Sequence, residues 1–160
     1  MGLAISSAIV YGFSNIFVTA PSPENLKTFF EFIVKGLLAL NYREHLDFQI
    51  QESSELEFKH MIVRIIVFRD HKQSISYIKP NDFSFINSAE LIVIDEAAAI
   101  PLHIVKKLLA PCLNFLASTI HGYEGTGRSL SLKLLKQLRE QTFSSGDNNS
   151  KSNFFCLKIF

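Results

Sequence analysis

Leu91-Ile92-Val93-Ile94-Asp95-Glu96-Ala97-Ala98-Ala99-Ile100-Pro101 decides how the rest of this chain is read. Its first four residues are aliphatic and three of them are β-branched, which makes a short strand. No polar residue alternates with them, so both faces of the strand are covered, as at the centre of a parallel sheet. Two carboxylates follow at once. The carboxyl edge of such a sheet is where ligands bind. A carboxylate at Asp95 is placed to hold magnesium, directly or through water. One at Glu96 is placed to polarise an attacking water as a general base. The alanines at 97–99 let the backbone turn close to a nucleotide. This is the pattern of a Walker-B strand. A buried strand running into a solvated acidic turn is the competing reading of the same residues.

Working outward, the neighbouring segments supply the strands and helices that such a sheet needs. Asn15 to Ala20 (NIFVTA) reads as a buried strand ended by Pro-Ser-Pro. Ser22 then caps a helix with Pro23 at its first position. That helix runs to about Leu40, with Leu26, Phe29, Phe30, Ile33, Leu37 and Leu40 on one face. Met1 to Tyr11 is small and apolar throughout and reads as a buried helix with no capping residue before it. A solvated stretch from Asn41 to Lys59 holds a short strand near Phe48 and Ile50. Met61 to Phe68 and Ile75 to Ile78 are further strands. Pro101 starts a helix with Leu102, Val105, Leu108 and Leu109 inward, and Pro111 ends it. Asn114 to Thr119 is another buried strand, followed by a glycine-rich loop, Gly122 to Gly127, and a helix from Ser129 to about Gln141. Strands alternating with helices make an α/β fold with a mostly parallel sheet flanked by helices.

Composition narrows the class further. The 160 residues are 48% hydrophobic and 19% charged, the balance of a folded domain with a core. A net charge of +1 excludes a global basic field for nonspecific nucleic-acid binding but leaves room for a local groove. The two cysteines, Cys112 and Cys156, suggest neither a disulfide framework nor a zinc site. The five histidines show no metal-ligand spacing. No apolar run approaches the roughly 18 residues that span a membrane, so no membrane partner is expected. The apolar start lacks the basic residues of a signal peptide, and helical periodicity accounts for Gly2 better than lipidation does.

Other candidate site residues sit at strand ends. Gly122-Tyr123-Glu124-Gly125-Thr126-Gly127-Arg128-Ser129 has the spacing of a phosphate loop. However, Arg128 replaces the lysine, Glu124 puts a negative charge in the anion cradle, and the loop follows the Walker-B strand instead of preceding it. A nucleotide- or RNA-facing loop in which Arg128 supplies charge fits better, and a plain turn capped by Ser129 fits as well. Ser118 and Thr119 close the neighbouring strand, where small hydroxyls sense a γ-phosphate or hold the attacking water. Thr19 and Ser22 end an earlier strand in the same way and can meet a nucleic-acid backbone; a turn with a helix cap is the simpler account of them.

Together LIVIDEAAAIPLHIVKKLL, FLASTIHGYEGTGRSLSLKLLKQLR and YGFSNIFVTAPSPENLKTFFEF closely resemble the helicase-like module of RNA cytidine acetyltransferases, in its eukaryotic nucleolar form, related to the bacterial tRNA(Met) enzyme. The resemblance spans about Gly2 to Gln141. It implies a RecA-like (RecD-like) P-loop NTPase core over residues 1–142 and a divergent, disordered tail over 143–160. It implies that ATP and magnesium are the cofactors, that Asp95 holds the metal and that Glu96 drives hydrolysis. Ser118, Thr119 and Arg128 would then line the nucleotide cleft, and Thr19 and Ser22 would face nucleic acid. In the full-length family protein an acetyltransferase domain of the GNAT type uses acetyl-CoA to form N4-acetylcytidine in 18S rRNA and tRNA during ribosome biogenesis. Small-subunit processing and tRNA-adaptor proteins are the implied partners, and the nucleolus of the nucleus is the implied location.

The chain departs from the family pattern at both ends. No lysine-bearing Walker A loop and no acetyl-CoA site are present, so a fragment is expected. Alone, it is expected to hydrolyse ATP poorly and to acetylate no RNA. A fragment of a general nucleic-acid helicase or translocase, or a non-catalytic interaction domain, are the alternatives.

Overall fold

The computed structural model describes residues 1–22, 24–54, 61–109, 112–119, 136 and 154–159. Among these, three α-helices and seven strands are arranged around one sheet. The helices are α1 (Gly2–Tyr11), α2 (Asn25–Ala39) and α3 (Leu102–Leu108). The strands are β1 (Asn15–Thr19), β2 (Phe48–Glu52), β3 (Ile62–Val67), β4 (Gln73–Tyr77), β5 (Leu91–Ile94), β6 (Leu113–Thr119) and β7 (Phe154–Ile159). The spatial order is β2-β3-β4-β1-β5-β6-β7. Strands β4, β1, β5, β6 and β7 run parallel, and β2 and β3 form an antiparallel extension at one edge. The expected mostly parallel α/β sheet is therefore present, with β5 inside it between β1 and β6.

Side-chain alternation divides the core into two layers. Ile16 and Val18 of β1 and Leu91 and Val93 of β5 point to the face covered by α1 and α2, where they meet Ile5, Ile9, Leu26, Phe30, Ile33 and Leu37. Phe17, Ile92, Ile94 and Leu116 point to the other face, against Ala97, Ile100, Val105 and Leu108. This two-sided cover is why β5 has no polar residue. Each fully buried Ile, Leu or Phe contributes about 1.5–3 kcal/mol of hydrophobic stabilisation.

Helix α1 ends as its sequence dictates. Gly12 adopts φ 107°, and its amide reaches the carbonyls of Ala8 and Ile9. The buried Gln73 side chain then donates to the carbonyls of Ile9 (2.7 Å) and Phe13 (2.9 Å), tying the end of α1 to the start of β4. Only one side of α1 is buried; Leu3, Val10 and Tyr11 are exposed. The buried side holds small residues. A Cβ on Gly2 would lie 2.7 Å from Phe32 Cβ, and one on Gly36 would lie 2.8 Å from Ser6 Cβ. Ser6 Oγ donates to Ile33 O across the same contact (3.0 Å).

Several expectations are corrected. Helix α2 is described from Asn25, whose amide bonds to Ser22 O (3.2 Å). Leu40 lies beyond the last helical residue and is exposed, because the chain leaves the helix there. The strand read at Ile75 begins two residues earlier, at Gln73, whose backbone pairs with Val67. Residues 154–159 are not a detached tail: β7 adds to the parallel sheet beside β6, where its backbone groups find a ladder to join. The glycine-rich loop of Gly122 to Gly127, with Arg128, lies outside the described residues, as do Pro23 and Pro111.

Candidate functional site

The site is assembled where β1 and β5 end side by side. Thr19 pairs with Ile94, the last residue of β5. The ladder continues one step further, since the Asp95 amide donates to Thr19 O at 2.9 Å. Asp95 is thus held by backbone at the carboxyl edge of the sheet, as the apolar tetrad implied. The chain then turns sharply. Glu96 sits in the left-handed region (φ 48°, ψ 43°), and residues Ala97–Ala99 form one turn of 3₁₀ helix. A left-handed conformation is costly for a side chain with a Cβ and collects at functional turns.

Both carboxylates are half-buried. Burial pushes the Asp95 carboxyl above the usual carboxylate range, and the neighbouring Glu96 charge pushes the same way. The Glu96 backbone amide and the positive amino end of α1 at Met1 oppose that shift without reversing it. A desolvated carboxylate with a raised pKa fits a divalent cation, which restores the charge that burial disfavours. Magnesium suits a single carboxylate, because it keeps several waters and shares phosphate oxygens. Among the described residues no cluster of three or more His, Cys, Asp or Glu is placed to hold a metal ion.

Glu96 has a partner that sequence reasoning missed. Asn25 Nδ2, at the first position of α2, donates to Glu96 Oε2 at 3.0 Å across 71 residues of chain. The only local hint is that Asn25 follows the Thr19 to Ser22 strand end. Thr19 itself is fully buried, and its Oγ1 has no hydrogen-bond partner among the described residues. It therefore presents no surface to a polynucleotide. Ser22 is half-buried and reaches the surface, and its Oγ accepts the Glu24 amide at 3.4 Å.

Strand β6 runs three residues past the Leu116–Ile94 pair, about 10 Å at strand rise. Ser118 and Thr119 thus end β6 on the same edge as Asp95, with Ser118 half-buried. The structure brings together Thr19, Asp95, Glu96 and Asn25, with the end of β6 on that edge. The place of Arg128 relative to them lies outside the described residues.

Comparison with known proteins identifies the family. Residues 1–154 match the family model "RNA cytidine acetyltransferase NAT10/TcmA, helicase domain". That match runs past the boundary at 142 expected from sequence. The chain is 62% identical over 146 residues to the RNA cytidine acetyltransferase of Schizosaccharomyces pombe, covering 91% of this chain and 14% of that protein. It is 59% identical over 153 residues to the Caenorhabditis elegans protein of the same name (95% and 15%) and 58% identical over 153 residues to the human one (96% and 15%). It therefore spans about a seventh of the length of these relatives. The large terminase of a thermophilic bacteriophage superposes with a TM-score of 0.55 at 13% identity, over 99% of this chain and 36% of that one, which shows a shared fold. The shared fold is a mostly parallel α/β sheet flanked by helices. This chain belongs to the RNA cytidine acetyltransferase family, to the part of it that forms the helicase domain.

Proposed function

We propose that this chain is the ATP-hydrolysing module of an RNA cytidine acetyltransferase. The observation that carries the reading is the placement of Asp95 and Glu96 at the carboxyl edge of β5, with Asp95 anchored by its backbone to Thr19 and Glu96 held by Asn25. Asp95 would hold magnesium and Glu96 would accept the proton of the attacking water. Ser118, Thr119 and Arg128 would line the nucleotide cleft, and Ser22 would face the RNA. Magnesium, when bound, supplies charge stabilisation on the phosphates; the protein's own part is to fix the carboxylates and exclude water.

The full-length protein would form N4-acetylcytidine from acetyl-CoA in 18S rRNA and tRNA, with ribosome-processing and tRNA-adaptor proteins as partners, in the nucleolus. The names and identities of the relatives support RNA cytidine acetylation; the RNA targets, acetyl-CoA, the partners and the nucleolus rest on the family resemblance. The test is Glu96→Gln in the full-length protein. Removing a general base is expected to lower ATP turnover about 10²–10⁴-fold while magnesium-ATP binding persists. Unchanged turnover would refute the assignment of Glu96.

A further inference from the structure

The left-handed backbone at Glu96 is strained, and such strain persists only where the surroundings hold it in place. The one hydrogen bond to its carboxylate among the described residues comes from Asn25 Nδ2, at 3.0 Å. That bond ties the strained residue to the first turn of α2. The bond engages Oε2 and leaves Oε1 to take a proton. A base oriented by a third group that itself touches no reacting atom is a recurrent arrangement in enzymes. Asn25 has no evident folding role that would explain it: it is exposed, and the first turn of α2 packs through Leu26.

We propose that Asn25 is the positioning residue for Glu96, aiming its carboxylate at the attacking water from the first turn of α2. Resting on the reading of Glu96 as the base, this places a determinant of ATP turnover on the segment that joins the Thr19 strand end to α2.

The test is a double-mutant cycle in the full-length protein, with magnesium-ATP as the probe. Asn25→Ala is expected to lower kcat for hydrolysis about 10–100-fold, the equivalent of losing one charge-assisted hydrogen bond, with KM for ATP changed less than about twofold. Asn25→Asp, nearly isosteric but without the donor, is expected to be at least as slow. In a Glu96→Gln background Asn25→Ala should have no further effect, which a merely structural role would not produce. Equal fold losses in both backgrounds, or an unchanged kcat, overturn the proposal while leaving Glu96 as the base. If Glu96→Gln itself is as fast as the wild type, the base assignment and this inference fall together.

Discussion

Asp95 donates its backbone amide to the carbonyl of Thr19 at 2.9 Å, so the first carboxylate after β5 is fixed by the ladder of the sheet and not by its own side chain. Backbone anchoring lets a desolvated acid stay in place at a cost to folding. The charged form of Asp95 is disfavoured in the folded chain, so its folded pKa lies above its unfolded value. Folding therefore gains stability as pH falls through the raised pKa and loses it as pH rises. Asp95→Asn is expected to raise the thermal midpoint of the nucleotide-free, magnesium-free chain at pH 7. The stability difference should narrow as pH falls. Calorimetry across pH checks this, and a lower midpoint for the variant at pH 7 contradicts it.

Thr19 carries a second signature of the site. Its hydroxyl is fully buried without a partner among the described residues. Replacing such a group by an isosteric apolar one is neutral or stabilising. Thr19→Val is expected to leave stability unchanged or raise it by up to about 1–2 kcal/mol. A loss above that size in urea denaturation would mean that the hydroxyl holds the fold together.

The contact between α1 and α2 depends on a missing side chain. A Cβ at Gly36 would overlap Ser6, whose hydroxyl already bridges to Ile33 O. Although alanine favours a helix, Gly36→Ala is expected to destabilise by about 1–3 kcal/mol through overpacking. Ser6→Ala in the same chain should reduce but not remove that loss, because the Ser6 Cβ is also in the way. Denaturant midpoints of the single and double variants measure both effects.

Asp47 provides an acid-sensitive clasp before β2. Its carboxylate accepts the Arg43 amide (2.8 Å) and Arg43 Nε (3.2 Å). The backbone bond first, and then the side-chain bond, hold its pKa below the usual carboxylate range. A depressed folded pKa adds stability that is present at neutral pH and lost as pH falls through that range. Asp47→Asn is expected to lower the midpoint at pH 7 and to flatten its fall in acid. Parallel acid titrations of the two chains would show the same slope if the clasp contributes nothing.

Much of this was legible along the chain. The tetrad Leu91 to Ile94 announced a strand covered on both faces, because a residue series without polar alternation has no face to give to water. The α2 stripe of Leu26, Phe29, Phe30, Ile33 and Leu37 announced which side it buries, because helical periodicity is local. Asp95 and Glu96 were identifiable because their chemistry follows directly from the strand that delivers them. The edge strand Phe154–Ile159 was harder, since a parallel partner is separated from it by a crossover and leaves no mark in its own residues.

By itself the sequence determined the class of fold, the burial of β5 and the carboxylate pair at its end, since each depends on residues within one or two turns of chain. Only the tertiary structure decided that β2 and β3 extend the sheet antiparallel, that Thr19 is enclosed and not facing a ligand strand, and that Asn25 bonds to Glu96 across 71 residues. Those relationships are set by strand register and by the angle at which α2 leaves the sheet. Both are settled by packing of the whole core, and no local pattern encodes them.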